Sequence, residues 1–164
     1  MIQKLEHRQM VIDTLMQSLG DTSPEIRAKA AESLGKLDVE EGVLELVKLL
    51  SDPDLNVRIS TIQALGQIGS KSAIPPLVLG LADPDSEIRA ATVGALGHIG
   101  SEQVMDYLLQ ALHDSEPAVR AIAAHALGQL GSEAAIPALI ASLSEPDDAV
   151  RLSVVEAIGK IGTQ

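Results

Sequence analysis

The chain has 164 residues, 46% of them apolar, with no cysteine and a formal net charge of −11. That length supports a substantial core, and the missing cysteines exclude disulfides, thiol nucleophiles and thiolate metal sites. The negative field repels a phosphate backbone, and the single aromatic residue, Tyr107, provides no stacking platform, so nucleic acid is not an expected partner.

Residues 1–9 lack the apolar stretch of a signal peptide and are read as an N-terminal capping segment. Beyond them the chain repeats itself. Arg27, Arg58, Arg89, Arg120 and Arg151 stand 31 residues apart, and each is followed at a fixed distance by Gly35, Gly66, Gly97, Gly128 and Gly159. A tandem period of this size marks a repeat architecture. The predicted repeats span approximately 10–37, 41–68, 72–99, 103–130 and 134–161.

In the first repeat Ile12, Leu15, Met16 and Leu19 fall at i, i+3, i+4 and i+7, one face of a helix. The same columns recur down to Ile136, Leu139, Ile140 and Leu143 in the fifth. A second helix follows in each repeat, its apolar columns starting at Ile26, Val57, Ile88, Val119 and Val150. Ser23, Asp54, Asp85 and Asp147 precede these second helices as N-caps, and Pro24 and Pro117 take the next position, where no amide donor is needed. Ser70, Ser101 and Ser132 are the matching caps of the later first helices, and Gly69, Gly100 and Gly131 supply left-handed helix ends. Pro75, Pro76 and Pro137 fall in first turns, where proline is tolerated. No segment alternates with period two, so the class is all-α. One helix pair cannot bury its own apolar face, and pairs stacked side by side share a continuous core.

The pattern Asp-Pro-Asp-x-x-(Val/Ile)-Arg followed by Ala-Leu-Gly-x-Ile-Gly resembles the HEAT repeat. Its 31-residue length is most similar to the short HEAT-like subclass named after the phycobilisome (phycocyanobilin) lyases. The resemblance implies a right-handed α-solenoid, a superhelix of five antiparallel helix pairs with the second helices on the concave side. It also implies a structural ladder in which Arg27, Arg58, Arg89, Arg120 and Arg151 pair with the turn acids Asp21, Asp52, Asp83, Asp114 and Glu145 of the same or adjacent repeats. An anion-binding arginine row is the competing reading. The helix-interior glycines each cost about 1 kcal/mol against alanine, which points to close backbone approach without saying to what.

Two residues after the start of each second-helix column come Ala28, Ile59, Ala90, Ala121 and Leu152, nearly opposite the core on a helical wheel. In the middle of the array Ile59, Ala90, Gly94, Gly97 and Ala121, with Ile122 and Leu152 beside them, predict a low apolar floor to a partner-binding groove, bordered by Gln63, His98, His125 and Gln129, with Glu32 and Glu156 near the ends. The bland reading is that alanine simply fills exposed helical positions cheaply. His98 and His125 are candidates for groove-lining donors. No HxxxH or HExxH spacing exists, so no metal or other cofactor is expected. Deoxyhypusine hydroxylases, which share the repeat, hold iron through His-Glu dipeptides, and this sequence has none. No nucleophile is set beside a base, so no catalytic residue is named.

These readings favour a non-catalytic, cytoplasmic scaffold or adaptor that binds another protein in its groove, without nucleic acid or membrane. The alternative is a phycobilin lyase-like or chromophore-protein maturation factor, with a phycobiliprotein as partner. The fifth repeat, near Val154, Val155 and Ile158, has no polar capping helix after it. Either it pairs with another copy or with a partner, or Glu156 and Lys160 suffice as a cap.

Overall fold

Capping chemistry sets the helix limits. Asp54 accepts the amide of Val57, Asp85 that of Glu87 and Asp147 that of Val150, and each opens a second helix. Gly69, Gly100 and Gly131 end three of them at φ of 71°, 67° and 72°. Ser23 and Ser132 sit at N-cap positions without a side-chain cap bond, and the Ser70 hydroxyl instead bonds the Glu40 carboxylate at 2.6 Å.

The computed structural model describes residues 2–163, and every regular element among them is helical. The chain divides into two compact blocks, residues 1–73 and 74–164. The first holds α1 (Ile2–Ser18), α2 (Pro24–Lys36), α3 (Val43–Leu49) and α4 (Leu55–Ile68). The second holds α5 (Ile74–Val78), α6 (Ser86–Ile99), α7 (Met105–Ala111), α8 (Pro117–Leu130), α9 (Ile136–Ala141) and α10 (Asp148–Gly162). Segment 1–9, read as a separate cap, is from Ile2 onward the start of α1, and Arg8 ties it to the Leu37 carbonyl at 3.2 Å.

First helices after α1 are short and are entered through a single 3₁₀ turn, as at Glu40–Gly42 and Glu102–Val104. Helix α5 stops soonest, turning into 3₁₀ geometry over Leu79–Ala82. At Gly80 the Thr92 hydroxyl occupies the space that a Cβ would need. That hydroxyl is buried and has no hydrogen-bond partner.

Leu34, Leu46 and Leu65 are fully buried in the first block, and Leu77, Leu96, Leu108, Leu127 and Leu139 in the second. Burial of each contributes about 1.5–3 kcal/mol. The end repeats depart from the predicted core. Ile26, Ile140 and Leu143 lie in core columns yet are 46%, 54% and 39% exposed. Those columns are covered by a neighbouring repeat, so the outermost copies stay open.

Candidate functional site

All five periodic arginines use the same anchor. Each Nη1 donates to two carbonyls of the turn before its own helix, as Arg27 does to Asp21 and Thr22, and Arg58 to Asp52 and Pro53. Arg89, Arg120 and Arg151 do so to Asp83, Asp114 and Glu145 and the residue after each. In Arg27, Arg89 and Arg120 the rest of the guanidinium reaches the next repeat. Arg27 makes a two-pronged pair with Asp52 at 2.8 and 2.9 Å, and Arg89 one with Asp114 at 2.9 and 3.0 Å. Arg120 makes one bond to Glu145, at 2.9 Å, and its buried Nε has no partner. Arg151 pairs with exposed Asp148 on its own helix.

The Asp52 and Asp114 carboxylates serve twice, because like those of Asp21 and Asp83 they accept the amide two residues on and so close their turns. Hydrogen bonding to Arg27 holds the Asp52 carboxyl below the usual aspartate range, and Arg89 does the same for Asp114. In Arg27, Arg89 and Arg120 all described donors but the Arg120 Nε point at protein oxygens of two successive turns.

The glycines mark where second helices touch. A Cβ on Gly35 would lie 2.8 Å from the Ala64 Cα, and one on Gly128 2.8 Å from the Ala157 Cα. Gly97 meets Ala126 in the same way. Glycine on one helix and alanine on the next let the two backbones pack directly together.

The predicted groove residues divide by exposure. In the first block Ile59 is half-buried and Gln63 exposed. In the second block Ala90, Gly94, Ala121 and Ile122 are half-buried, whereas His98, His125, Gln129, Leu152 and Glu156 are exposed. Ile122 is brought to Gly94, its Cγ2 3.8 Å from the Cβ position there. The predicted floor of the second block is thus only partly exposed, and beside it His98 of α6 and His125 and Gln129 of α8 stand exposed. Among the described residues no three His, Asp or Glu side chains converge as a metal site. A cavity of about 110 Å³ lies beside Leu81, Val93 and Tyr107, below the roughly 300 Å³ at which small-molecule pockets begin.

A model of HEAT repeats matches residues 12–83 and 74–159, most of the chain. The chain belongs to the HEAT-repeat family. Among solved structures, this HEAT-repeat chain is similar to the CpcE–CpcF complex of phycocyanin lyase from Nostoc sp. PCC7120, with a TM-score of 0.79 and 23% identity. That match covers 93% of this chain and 65% of the other, so the chain spans less than two thirds of the lyase chain's length. A designed armadillo repeat protein in complex with the peptide (KR)4 matches with a TM-score of 0.69 and 23% identity, over 98% of this chain and 85% of that one. Human deoxyhypusine hydroxylase matches at 0.51 and 18% identity, over 93% and 85%. At these identities the likeness is one of fold, an α-solenoid. No curated protein sequence is a significant match.

Sequence reasoning left one feature without an account, the second-helix glycine column. Its signal was the pairing of each glycine with an alanine 29 residues later, at Ala64, Ala126 and Ala157.

Proposed function

We propose that this HEAT-repeat chain is a scaffold or adaptor that performs no chemistry and binds another protein on the exposed face of its second helices. The observation that carries this reading is the surface of α6 and α8. There His98, His125 and Gln129 stand exposed around the half-buried Ala90, Gly94, Ala121 and Ile122. A rigid polar rim over a low apolar floor suits a folded partner, because little of either side has to be ordered on binding. The charge of −11 favours a partner with basic residues and speeds its encounter.

The test replaces the exposed rim and spares the floor. A partner captured by the wild-type chain is purified and titrated against His98→Lys, His125→Lys, Gln129→Lys in one chain. Circular dichroism should be unchanged and affinity should fall by about tenfold or more. Equal affinity of variant and wild type would place the partner elsewhere and sink the reading.

Fold likeness to the phycocyanin lyase complex over 93% of the chain supports a second reading, a lyase-like or chromophore-protein maturation factor. Mixing the chain with phycocyanobilin and apo-phycocyanin separates the two. Covalent colour on the acceptor protein, dependent on the chain, replaces the scaffold reading with the lyase-like one.

A further inference from the structure

Gly128 of α8 is set against Ala157 of α10. By spacing it shares one stripe with Ala121 and Ala124 of α8 and with Gly131 at that helix's C-cap, and of these Ala124 and Gly128 are buried. On α10 the same positions, 31 residues on, are Leu152, Val155, Gly159 and Gly162, and all four are exposed. Leu152 is 60% and Val155 56% exposed, and a Cβ on Gly159 would meet nothing within 4 Å. Ile140 and Leu143, also exposed, extend the patch onto the last first-helix segment. Val154 and Ile158, expected beside this flank, instead turn inward, fully and half-buried. The fifth repeat therefore carries forward the interface already built between α8 and α10.

Two features select what covers it. The spacing 152, 155, 159, 162 is three, four and three, which keeps the four residues in one stripe. Their order is self-complementary. If two copies of α10 cross antiparallel at the level of Ala157, each Leu152 faces a Gly162 and each Val155 faces a Gly159, large against small throughout. The chain's other end is a poorer mate. Where the second repeat offers Ala64 and Gln67 to Gly35, the first offers Ser33 and Lys36. Lys29 and Lys36 there both bond the Glu32 carboxylate, and stacking a helix over that cluster would desolvate three charges. The exposed large apolar residues of that end are Ile26 on α2 and Leu5, Met10 and Val11 on α1.

We propose that the α9–α10 face binds a second copy of this chain, giving a closed two-fold dimer joined tail to tail. Val155 and Gly159 lie outside the proposed partner surface, so the dimer and the scaffold reading stand or fall separately.

The experiment is sedimentation velocity with light scattering on the 164-residue chain over a concentration series from about 1 to 500 µM. The expected result is a rise from 17.2 kDa to twice that mass and no further. Val155→Glu should hold the chain at monomer mass. Gly159→Ala should weaken the dimer about tenfold or more while leaving the monomer folded, since its methyl enters open space. Ile26→Glu, at the opposite end, should dimerise as wild type does. Monomer mass throughout the series, or equal dimerisation by Val155→Glu, overturns the proposal. Growth beyond the dimer that Ile26→Glu abolishes also overturns it, in favour of head-to-tail stacking.

Discussion

Arg120 shows how much one methylene matters. Arg27 and Arg89 face aspartates and make two bonds each, whereas Arg120 faces Glu145, makes one, and leaves its Nε buried and unpaired. A buried donor without a partner costs about 1–3 kcal/mol. Glu145→Asp moves the carboxylate to the reach found in the other repeats and should restore the second bond. The expected gain is about 1 kcal/mol, a rise of a few degrees in melting temperature that calorimetry reads directly. An unchanged or lower melting temperature would show that the turn cannot bring the shorter side chain to Arg120.

At the scale of the helix, one substitution should have opposite signs at two positions of the same column. A methyl on Gly97 meets Ala126, so Gly97→Ala must push α6 and α8 apart and should cost about 1–3 kcal/mol. Gly159 occupies the same place in α10 and faces open space, so Gly159→Ala should add about 0.5–1 kcal/mol through helix propensity alone. Chemical denaturation of both variants at low micromolar concentration checks the pair. Destabilisation by both would mean that the Gly159 face is covered even in dilute solution. Glycine–alanine contacts at Gly35, Gly97 and Gly128 account for the closing glycine in those three repeats.

For the whole molecule, the ladder makes stability depend on acid. Asp52 in the first block and Asp114 in the second both have folded pKa values held below the ordinary 3.8, chiefly by hydrogen bonds from Arg27 and Arg89. A carboxylate depressed in this way stabilises the fold above its unfolded pKa, and that contribution is lost as pH falls through the folded value. Melting temperature should therefore hold down to about pH 4 and drop below it. Arg27→Met, which removes the reason for the Asp52 depression, should lower the plateau and flatten part of the acid limb. An acid limb of unchanged steepness in that variant would assign the transition to other carboxylates.

The period, the all-α class and the helix order were legible in the sequence because each rests on a local rule. Apolar columns at i, i+3, i+4 and i+7, aspartate caps at 54, 85 and 147, and left-handed glycines at 69, 100 and 131 act within a few residues of themselves. Membership of the family follows from the same repeated local pattern. Only the tertiary structure decided which neighbour each residue meets. It sent the Arg27 side chain to Asp52 and left Asp21 to close its own turn. It set Gly97 against Ala126, sank Ile122 beside Gly94, and left Gly159, Leu152 and Val155 bare at positions whose counterparts on α8 are wholly or partly covered. A repeated sequence gives every copy the same side chains, but burial is supplied by the adjacent repeat, so identical letters acquire different environments according to what stacks beside them.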